Sequence, residues 1–337
     1  MIEELSFLTD KAQKIKVGVI GLGWAGREHL KKYAANPRAE IIGVADTVRE
    51  TADSVAGVYG VRAFYDPLEF LEVKDLKAVS ICTPNVFHAP LAIAAAKRGV
   101  SAMTEKPMCT TSEEGRRMVG AADRAGTKLM VAVCRRFEAG SVYLKKMVES
   151  GYLGTINFGR CHWLRHNGNP GRWFAQKNLS GGGPMLDIGV HLLDLTWWFM
   201  GSPKPVHCLG RSFGSKEENA VEDIAVGAIT FETGQIVHVG ASWIAGWKGE
   251  TASILVGDKG GASRYPLEIY RDIEGTPTSM TPDIREVDSF QAEVDHFVDC
   301  VINDKTPIPN GVEGWNVVKM LEAVYKSSDR NGPVRIT

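Results

Sequence analysis

The sequence lacks a surplus of charge, a long apolar run and any closely spaced pair of cysteines. Its 337 residues carry 39 Lys and Arg against 40 Asp and Glu, which gives a formal net charge of −1. Nucleic-acid-binding domains usually have a basic surface, so we expect no nucleic-acid partner. No stretch approaches the roughly 20 apolar residues that span a bilayer, and residues 1–14 do not have the basic start and apolar run of a secretory signal. We therefore expect a soluble protein without a membrane partner.

The cysteines are widely scattered, and no two form a C-x-x-C pair. Several lie in apolar, strand-like runs, as at Ser80-Ile81-Cys82. This pattern favours small buried side chains in a reducing cytoplasm over disulfides. His162 and His166 lie on an extended run rather than on one helical face, so we predict no metal site.

In the first half, short apolar runs alternate with helix-like segments. Strands are predicted near 16–20, 41–45, 62–65, 78–82, 100–104 and 128–134, with helices over 24–35, 47–58, 86–97 and 112–124. Thr47 is a possible N-cap of the second helix. Apolar strands separated by helices are typical of a doubly wound parallel sheet. We predict a Rossmann domain over residues 1–134.

The second half changes to longer strand-like runs. A helix over 141–150 precedes strands at 156–163, 206–213, 224–231, 235–244 and 252–256, with a hairpin turn at Thr233-Gly234. Helices are predicted over 185–200, 290–303 and 312–327. Consecutive strands with short turns indicate an antiparallel sheet. Residues 135–337 form the second predicted domain, and a cleft between the two domains would suit a ligand.

The first chemical motif is the glycine turn Gly21-Leu22-Gly23-Trp24-Ala25-Gly26. Gly21 permits a sharp turn, Gly23 admits a pyrophosphate close to the backbone, and Gly26 lets the helix pack on the strand. The N-terminus of the following helix offers free N–H groups to the phosphates. With a strand before it and a helix after it, the turn predicts dinucleotide binding; the alternative is a turn kept for packing.

Asp46, at the end of the next strand, indicates which dinucleotide binds. A carboxylate there accepts hydrogen bonds from ribose hydroxyls and repels a 2′-phosphate, which favours NAD over NADP. Arg49 keeps NADP open, because a guanidinium can hold a phosphate.

Two further segments follow buried strands. The run from Thr83 to His88 comes after the fourth strand, and Glu105-Lys106-Pro107 comes after the fifth. Ligands of such sheets bind outside the carboxyl ends of the strands, so both segments are expected to reach the cofactor, with Glu105 and Lys106 near the nicotinamide.

In the second half, Asp187 and His191 stand four residues apart on a predicted helix after Gly181-Gly182-Gly183. Residues at this spacing share a helix face. A carboxylate and an imidazole together can act as an acid/base pair, but they can equally form a hydrogen-bonded pair that stabilises the fold.

The motifs GLGWAG, TPNVFHAPLAIAA, TEKP and GGGPMLDIGVHLLDL, in this order, resemble those of the Gfo/Idh/MocA family of oxidoreductases. The resemblance spans nearly the whole chain. It implies a Rossmann domain followed by an α/β domain with a large, mostly antiparallel open sheet. It implies that Lys106, Asp187 and His191 are catalytic. It also implies cofactor contacts from the glycine turn, Asp46, Thr83, Asn85, His88, Glu105 and Lys106.

The resulting prediction is an NAD(P)-dependent dehydrogenase that moves a hydride between a sugar or polyol carbon and nicotinamide. Lys106 would hydrogen-bond the reacting oxygen, His191 would take the hydroxyl proton, and Asp187 would orient both. Which of Lys106 and His191 accepts the proton stays open. Two other functions stay open as well: an NAD-dependent glycosidase of the same family, and a non-catalytic dinucleotide-binding regulator.

Residues 161–174 combine aromatic rings with polar donors, a combination that can stack on a sugar and read its hydroxyls. The substrate contacts predicted are Lys106, Arg136, Trp163, Arg165, Arg172, Trp173, Asp187 and His191. The alternative for each aromatic residue is a place in the core between the domains. The exposed face of the antiparallel sheet needs a cover, so we expect a homodimer or homotetramer.

Overall fold

The computed structural model describes residues 14–166, 168–214, 217, 219–244, 246 and 248–337. The first half builds a parallel sheet from six strands: β1 (Ile15–Ile20), β2 (Ala39–Ala45), β3 (Arg62–Phe64), β4 (Leu76–Ile81), β5 (Ser101–Glu105) and β6 (Leu129–Ala132). Their order in the sheet is β3-β2-β1-β4-β5-β6. The order reverses between β1 and β4, and this reversal opens a crevice at the carboxyl ends of the strands. The predicted doubly wound sheet is confirmed.

Five helices join these strands: α1 (Trp24–Ala35), α2 (Arg49–Tyr59), α3 (Pro67–Leu71), α4 (His88–Lys97) and α5 (Ser112–Ala125). A capping box of Thr111 and Glu114 starts α5. The predicted N-cap Thr47 is wrong, because Val48 takes that position. Asp46 Oδ1 accepts the Val48 N–H at 2.9 Å and so places the start of α2 after the turn.

The second half builds a nine-stranded sheet from β7 (Ile156–Leu164), β8 (Pro205–Gly214), β9 (Glu222–Phe231), β10 (Ile236–Ser242), β11 (Glu250–Gly257), β12 (Gly261–Arg264), β13 (Glu268–Ile273), β14 (Thr276–Met280) and β15 (Val334–Arg335). Their order is β14-β13-β12-β11-β7-β10-β9-β8-β15. All neighbours run antiparallel except β7 and β10. The mostly antiparallel sheet and the hairpin from β9 to β10 are confirmed.

The inner face of this sheet is covered by α6 (Ala139–Glu149) and α8 (Val190–Phe199), and a short α7 (Lys177–Ser180) precedes the glycine run. The helix predicted over 185–200 is in fact two segments. Met185–Gly189 is π-helical, and α8 starts only at Val190. Single π turns within helices frequently occur at functional sites.

Of the last two helices, α9 (Ser289–Ile302) returns to the first domain, whereas α10 (Gly311–Arg330) packs mainly against the inner face of the nine-stranded sheet, with Leu321 and Val324 in its core. Val294 and Phe297 of α9 share a core cluster with Leu30 and Tyr33 of α1. Val318 of α10 joins the cluster on the other face of the parallel sheet. The end of the chain therefore supplies one wall of the crevice.

Within the described ranges, no helix is both long enough and apolar enough to cross a membrane. All six cysteines are free thiols: Cys82, Cys109, Cys134, Cys161, Cys208 and Cys300.

Candidate active site

A cleft of about 500 Å³ lies where the carboxyl ends of β4, β5 and β6 face the second domain. Lys106, Asp187 and His191 all line it. A second cavity, of about 550 Å³, is lined by the glycine turn and Asp46. Cys82, Thr83 and Trp173 line both, so the two cavities adjoin. Together they form an elongated groove from the glycine turn to Lys106.

Two glycines of the turn are required by the packing of the fold, whereas the third leaves space that a ligand could occupy. Gly21 has a φ of +88°, and a Cβ on Gly26 would lie 1.9 Å from the Gly21 carbonyl oxygen, so packing alone requires both glycines. A Cβ on Gly23 would meet nothing within 4 Å. Gly23 precedes α1 as its N-cap residue. The open space at a helix N-terminus fits a pyrophosphate that approaches the backbone closely.

Asp46 connects β2 to the glycine turn, because its Oδ2 accepts the Leu22 N–H at 2.8 Å. The side chain also lines the second cavity, as the predicted ribose contact requires. Arg49 points elsewhere: its guanidinium lies 4.1 Å from the centroid of the Tyr65 ring. The arrangement fits NAD, whose ribose carries free hydroxyls.

Lys106 is held by Asp187 at the centre of the cleft. Its Nζ donates to the Asp187 carbonyl oxygen at 2.7 Å and lies 3.3 Å from Oδ1 of the same residue. The carboxylate of Asp187 also accepts from Trp243 Nε1 at 3.1 Å and from Arg165 at 3.5 Å. The π-helical segment thus presents both its backbone and its side chain to the lysine.

His191 lines the same cleft but is not held by Asp187, contrary to the predicted orienting role. Within the described residues, neither ring nitrogen has a hydrogen-bond partner, and Nδ1 is buried. Burial holds the pKa of His191 well below its usual value, and the charges of Lys106, Arg135 and Arg165 lower it further. The imidazole is therefore neutral at neutral pH and can accept a proton.

Glu105 lies beside Lys106 and is backed by a buried histidine. His29 Nε2 lies 3.3 Å from Glu105 Oε1, and its Nδ1 is hydrogen-bonded to Ser80 Oγ at 2.9 Å. Burial alone would raise the pKa of Glu105, but His29 and Lys106 hold it below its usual value. Glu105 is therefore a carboxylate at neutral pH.

The structure corrects three predicted contacts. Arg136 is buried outside the cleft, where it binds Asp194 through two bonds of 2.7 Å and Glu313 through one of 2.7 Å. His88 is fully buried, with Nδ1 2.9 Å from the Pro107 carbonyl oxygen and Nε2 2.8 Å from that of Thr83. Arg172 is exposed and does not line the cleft. Arg136 and His88 are structural, since they join segments around the site.

The substrate wall is aromatic and basic. Of the predicted substrate contacts, Trp163, Arg165 and Trp173 line the cleft, and Trp173 stacks on Phe174 with a centroid distance of 3.9 Å. Arg135, rather than its neighbour Arg136, reaches the cleft, and its guanidinium lies 4.5 Å from the Trp163 ring centroid. Asn167, in the segment predicted to read hydroxyls, lies outside the described residues.

The sequence motifs did not point to Glu293 or Trp243, which both belong to the surroundings of the site. The predicted cofactor contacts Thr83, Asn85 and Glu105 line the cleft, and so does Glu293 of α9. Trp243 reaches the site through its bond to Asp187. Neither belongs to a recognisable motif. Glu293 lies in an amphipathic helix, whose sequence does not set this glutamate apart from other charged residues. Over the described ranges, no group of three or more His, Cys, Asp or Glu side chains is arranged to hold a metal ion.

Comparison with known proteins gives two family matches. Residues 15–133 match the model described as "Oxidoreductase family, NAD-binding Rossmann fold". Residues 141–263 match the GFO/IDH/MocA C-terminal domain. Together they cover most of the chain.

Among curated relatives, D-glucoside 3-dehydrogenase of Escherichia coli is 29% identical over 343 residues, covering 96% of this chain and 97% of the relative. The scyllo-inositol 2-dehydrogenase (NAD(+)) of Bacillus subtilis is 26% identical, covering 96% of each. A D-xylose 1-dehydrogenase [NADP(+)] of Haloarcula marismortui is 27% identical, covering 96% of this chain and 93% of the relative.

Solved structures share the whole fold. Levoglucosan dehydrogenase in complex with NADH superposes with a TM-score of 0.88 at 23% identity, covering 96% of this chain and 100% of that one. The aldose-aldose oxidoreductase from Caulobacter crescentus gives 0.84 at 24% identity, with the same coverage. Both domains therefore share one known fold. With both of its domains matched, this chain belongs to the GFO/IDH/MocA family of oxidoreductases and carries that family's NAD-binding Rossmann domain.

Proposed function

We propose that the protein is an NAD-dependent dehydrogenase that oxidises a secondary or hemiacetal hydroxyl of a sugar or polyol, or runs the reverse reaction. The observation that carries the proposal is the set of three groups in one cleft: Lys106 held by Asp187, with an unbonded, neutral His191 beside them. The names of the full-length relatives, which are glucoside, inositol and xylose dehydrogenases, support the substrate class.

Each side chain then has one task. NAD, when bound, supplies the hydride acceptor. Lys106 donates a hydrogen bond to the reacting oxygen and stabilises negative charge that develops on it. His191 accepts the hydroxyl proton, because its neutral ring has a free nitrogen. Asp187 positions Lys106 and balances its charge. Trp163 offers an aromatic face to the C–H side of a sugar ring, and Arg165 offers donors to its hydroxyls.

The test is a panel of sugars and inositols assayed by absorbance at the NADH band. We expect Lys106→Met and His191→Ala each to reduce turnover by about 10²- to 10⁴-fold while NAD binding survives. Lys97→Met is the matched control, since Lys97 is exposed at the end of α4, and its turnover should equal that of the native protein. Native turnover in both site variants would contradict the assignment.

The same assay separates the other two functions. Release of sugar from an aryl glycoside without net formation of NADH would indicate the glycosidase. Binding of NAD without turnover of any substrate would indicate the regulator.

We further propose a homodimer or homotetramer in the cytoplasm, assembled through the outer face of the nine-stranded sheet. Leu209 on β8 and Val226 on β9 are apolar and 54% and 42% exposed on this face. A Leu209→Glu variant should elute as a smaller species than the native protein in size-exclusion chromatography with light scattering, and an unchanged mass would contradict this interface.

A further inference from the structure

Helix α9 brings an acidic side chain, Glu293, to the floor of the cleft. The residue is fully buried and lines the same cavity as Lys106 and His191. Neither carboxyl oxygen has a hydrogen-bond partner among the described residues. The backbone of Val133 offsets part of the rise in the pKa of Glu293, but it forms no hydrogen bond of normal geometry with either carboxyl oxygen. A buried carboxyl without partners is costly to keep unless the site uses it.

The groups that face Glu293 come from each element around it: Tyr33 of α1, Cys82 after β4, Glu105 at the end of β5, and Cys134 after β6. None of them is a cation. Burial, and then the negative charge of Glu105, raises the pKa of Glu293 well above its usual value. Burial also raises the pKa values of Tyr33, Cys82 and Cys134, so these three stay neutral near pH 7. In the cofactor-free cleft, these surroundings favour the protonated form of Glu293 over the carboxylate.

The position of Glu293 along the groove decides which part of a dinucleotide it meets. Asp46 and Gly23 line the second cavity, at the adenosine end. Glu293 lines the cavity of Lys106 and His191, where the hydride is exchanged. This is the end where the nicotinamide must lie, and only the oxidised ring carries a positive charge.

We propose that Glu293 sets the relative affinity of the protein for oxidised and reduced nicotinamide. The positively charged ring favours the carboxylate, so the O–H bond of Glu293 breaks and the proton leaves to solvent; no electron moves in this step. The neutral reduced ring leaves Glu293 protonated. The proposal rests on the oxidoreductase function and on the cofactor, but not on the identity of the sugar.

Proton release can be counted by calorimetric titration with NAD⁺ and with NADH, in buffers of different protonation enthalpy. We expect the native protein to release about one proton per NAD⁺ bound and none per NADH. Its affinity for NAD⁺ should rise with pH, by up to about tenfold per pH unit, while its affinity for NADH stays flat. His191 and His88 have lowered pKa values and are already neutral, so neither supplies this proton.

The Glu293→Gln variant keeps the shape of the neutral acid but cannot ionise. It should lose the proton release and bind NAD⁺ about tenfold or more weakly near pH 8, with the affinity for NADH unchanged. Asp295→Asn is the matched control, since Asp295 lies on the same helix and is bonded to Asn36 and Gln291 instead of lining the cleft. It should behave as the native protein.

Persistent proton release in Glu293→Gln would assign the proton to another group, such as Lys106, and overturn the proposal. If Glu293→Gln weakened the binding of NAD⁺ and of NADH equally, Glu293 would have only a packing role, and the proposal would be overturned. Should this variant fail to fold, the native titration decides: a pH-independent NAD⁺ affinity without proton release overturns the proposal. Failure of the native protein to bind either nucleotide would overturn the cofactor assignment as well, whereas these other results leave it intact.

Discussion

Replacing Gly23 by Ala should weaken cofactor binding without weakening the fold. The backbone at Gly23 has a φ of −67°, which alanine adopts freely, and the added methyl group meets no protein atom within 4 Å. Alanine is a poorer N-cap than glycine by about 0.5–1 kcal/mol. It also restricts the unfolded chain, which stabilises by about 0.4–1 kcal/mol. The two effects nearly cancel, so the melting temperature should hardly change.

The Gly23→Ala substitution should instead weaken the binding of the cofactor. The methyl group stands where a pyrophosphate must approach the N–H groups at the start of α1. Loss of one hydrogen bond to a charged group costs about 1.5–3 kcal/mol, which corresponds to a Kd about 10- to 150-fold higher. Calorimetry with NADH measures the Kd, and a thermal melt without cofactor measures the fold.

Gly26→Ala is the opposite control. Its methyl group would lie 1.9 Å from the Gly21 carbonyl oxygen, so α1 would have to move away from β1 and stability should fall. Unchanged NADH affinity in a folded Gly23→Ala protein would refute the placement of the phosphates at this turn.

Three further results are expected. Arg136→Met should reduce the free energy of unfolding in urea by about 3–5 kcal/mol, because Asp194 would keep a buried charge without a partner. The protein that remains folded should keep its substrate KM. A raised KM with native stability would contradict this structural role. The lowered pKa of His191 should place the acid limb of kcat/KM below pH 6.5, the usual value for histidine. The stability contributed by neutral His191 is complete above pH 6.5 and declines as pH falls toward the folded-state pKa, so a His191→Ala variant should lose less stability on acidification.

The first domain was predictable because its strands are buried on both faces and read as continuous apolar runs. Helix α3 escaped prediction because five residues are too short to show a helical period. Strands β13 and β14 escaped because they are largely polar and half exposed, so neither shows a clear alternation.

Within the site as well, the sequence predicted the position of some side chains and not of others. The motifs located Lys106, Asp187 and His191, since each follows a strand end or a glycine run. Arg135 and Arg136 are adjacent on a short 3-10 turn, and only the tertiary structure decides which one enters the cleft. The Asp187–His191 spacing suggested that the two side chains contact each other. In the structure, Asp187 lies in the π-helical turn and is hydrogen-bonded to Lys106 instead.

The return of α9 to the first domain also sets the order in which the protein can mature. Val294 and Phe297 complete a core that begins with Leu30 and Tyr33, more than 250 residues earlier in the chain. A ribosome must therefore finish almost the entire polypeptide before the NAD-binding half can close its own interior. A fragment ending near residue 134 would expose that part of the interior to solvent, so we expect it to be less stable than the same residues in the full chain.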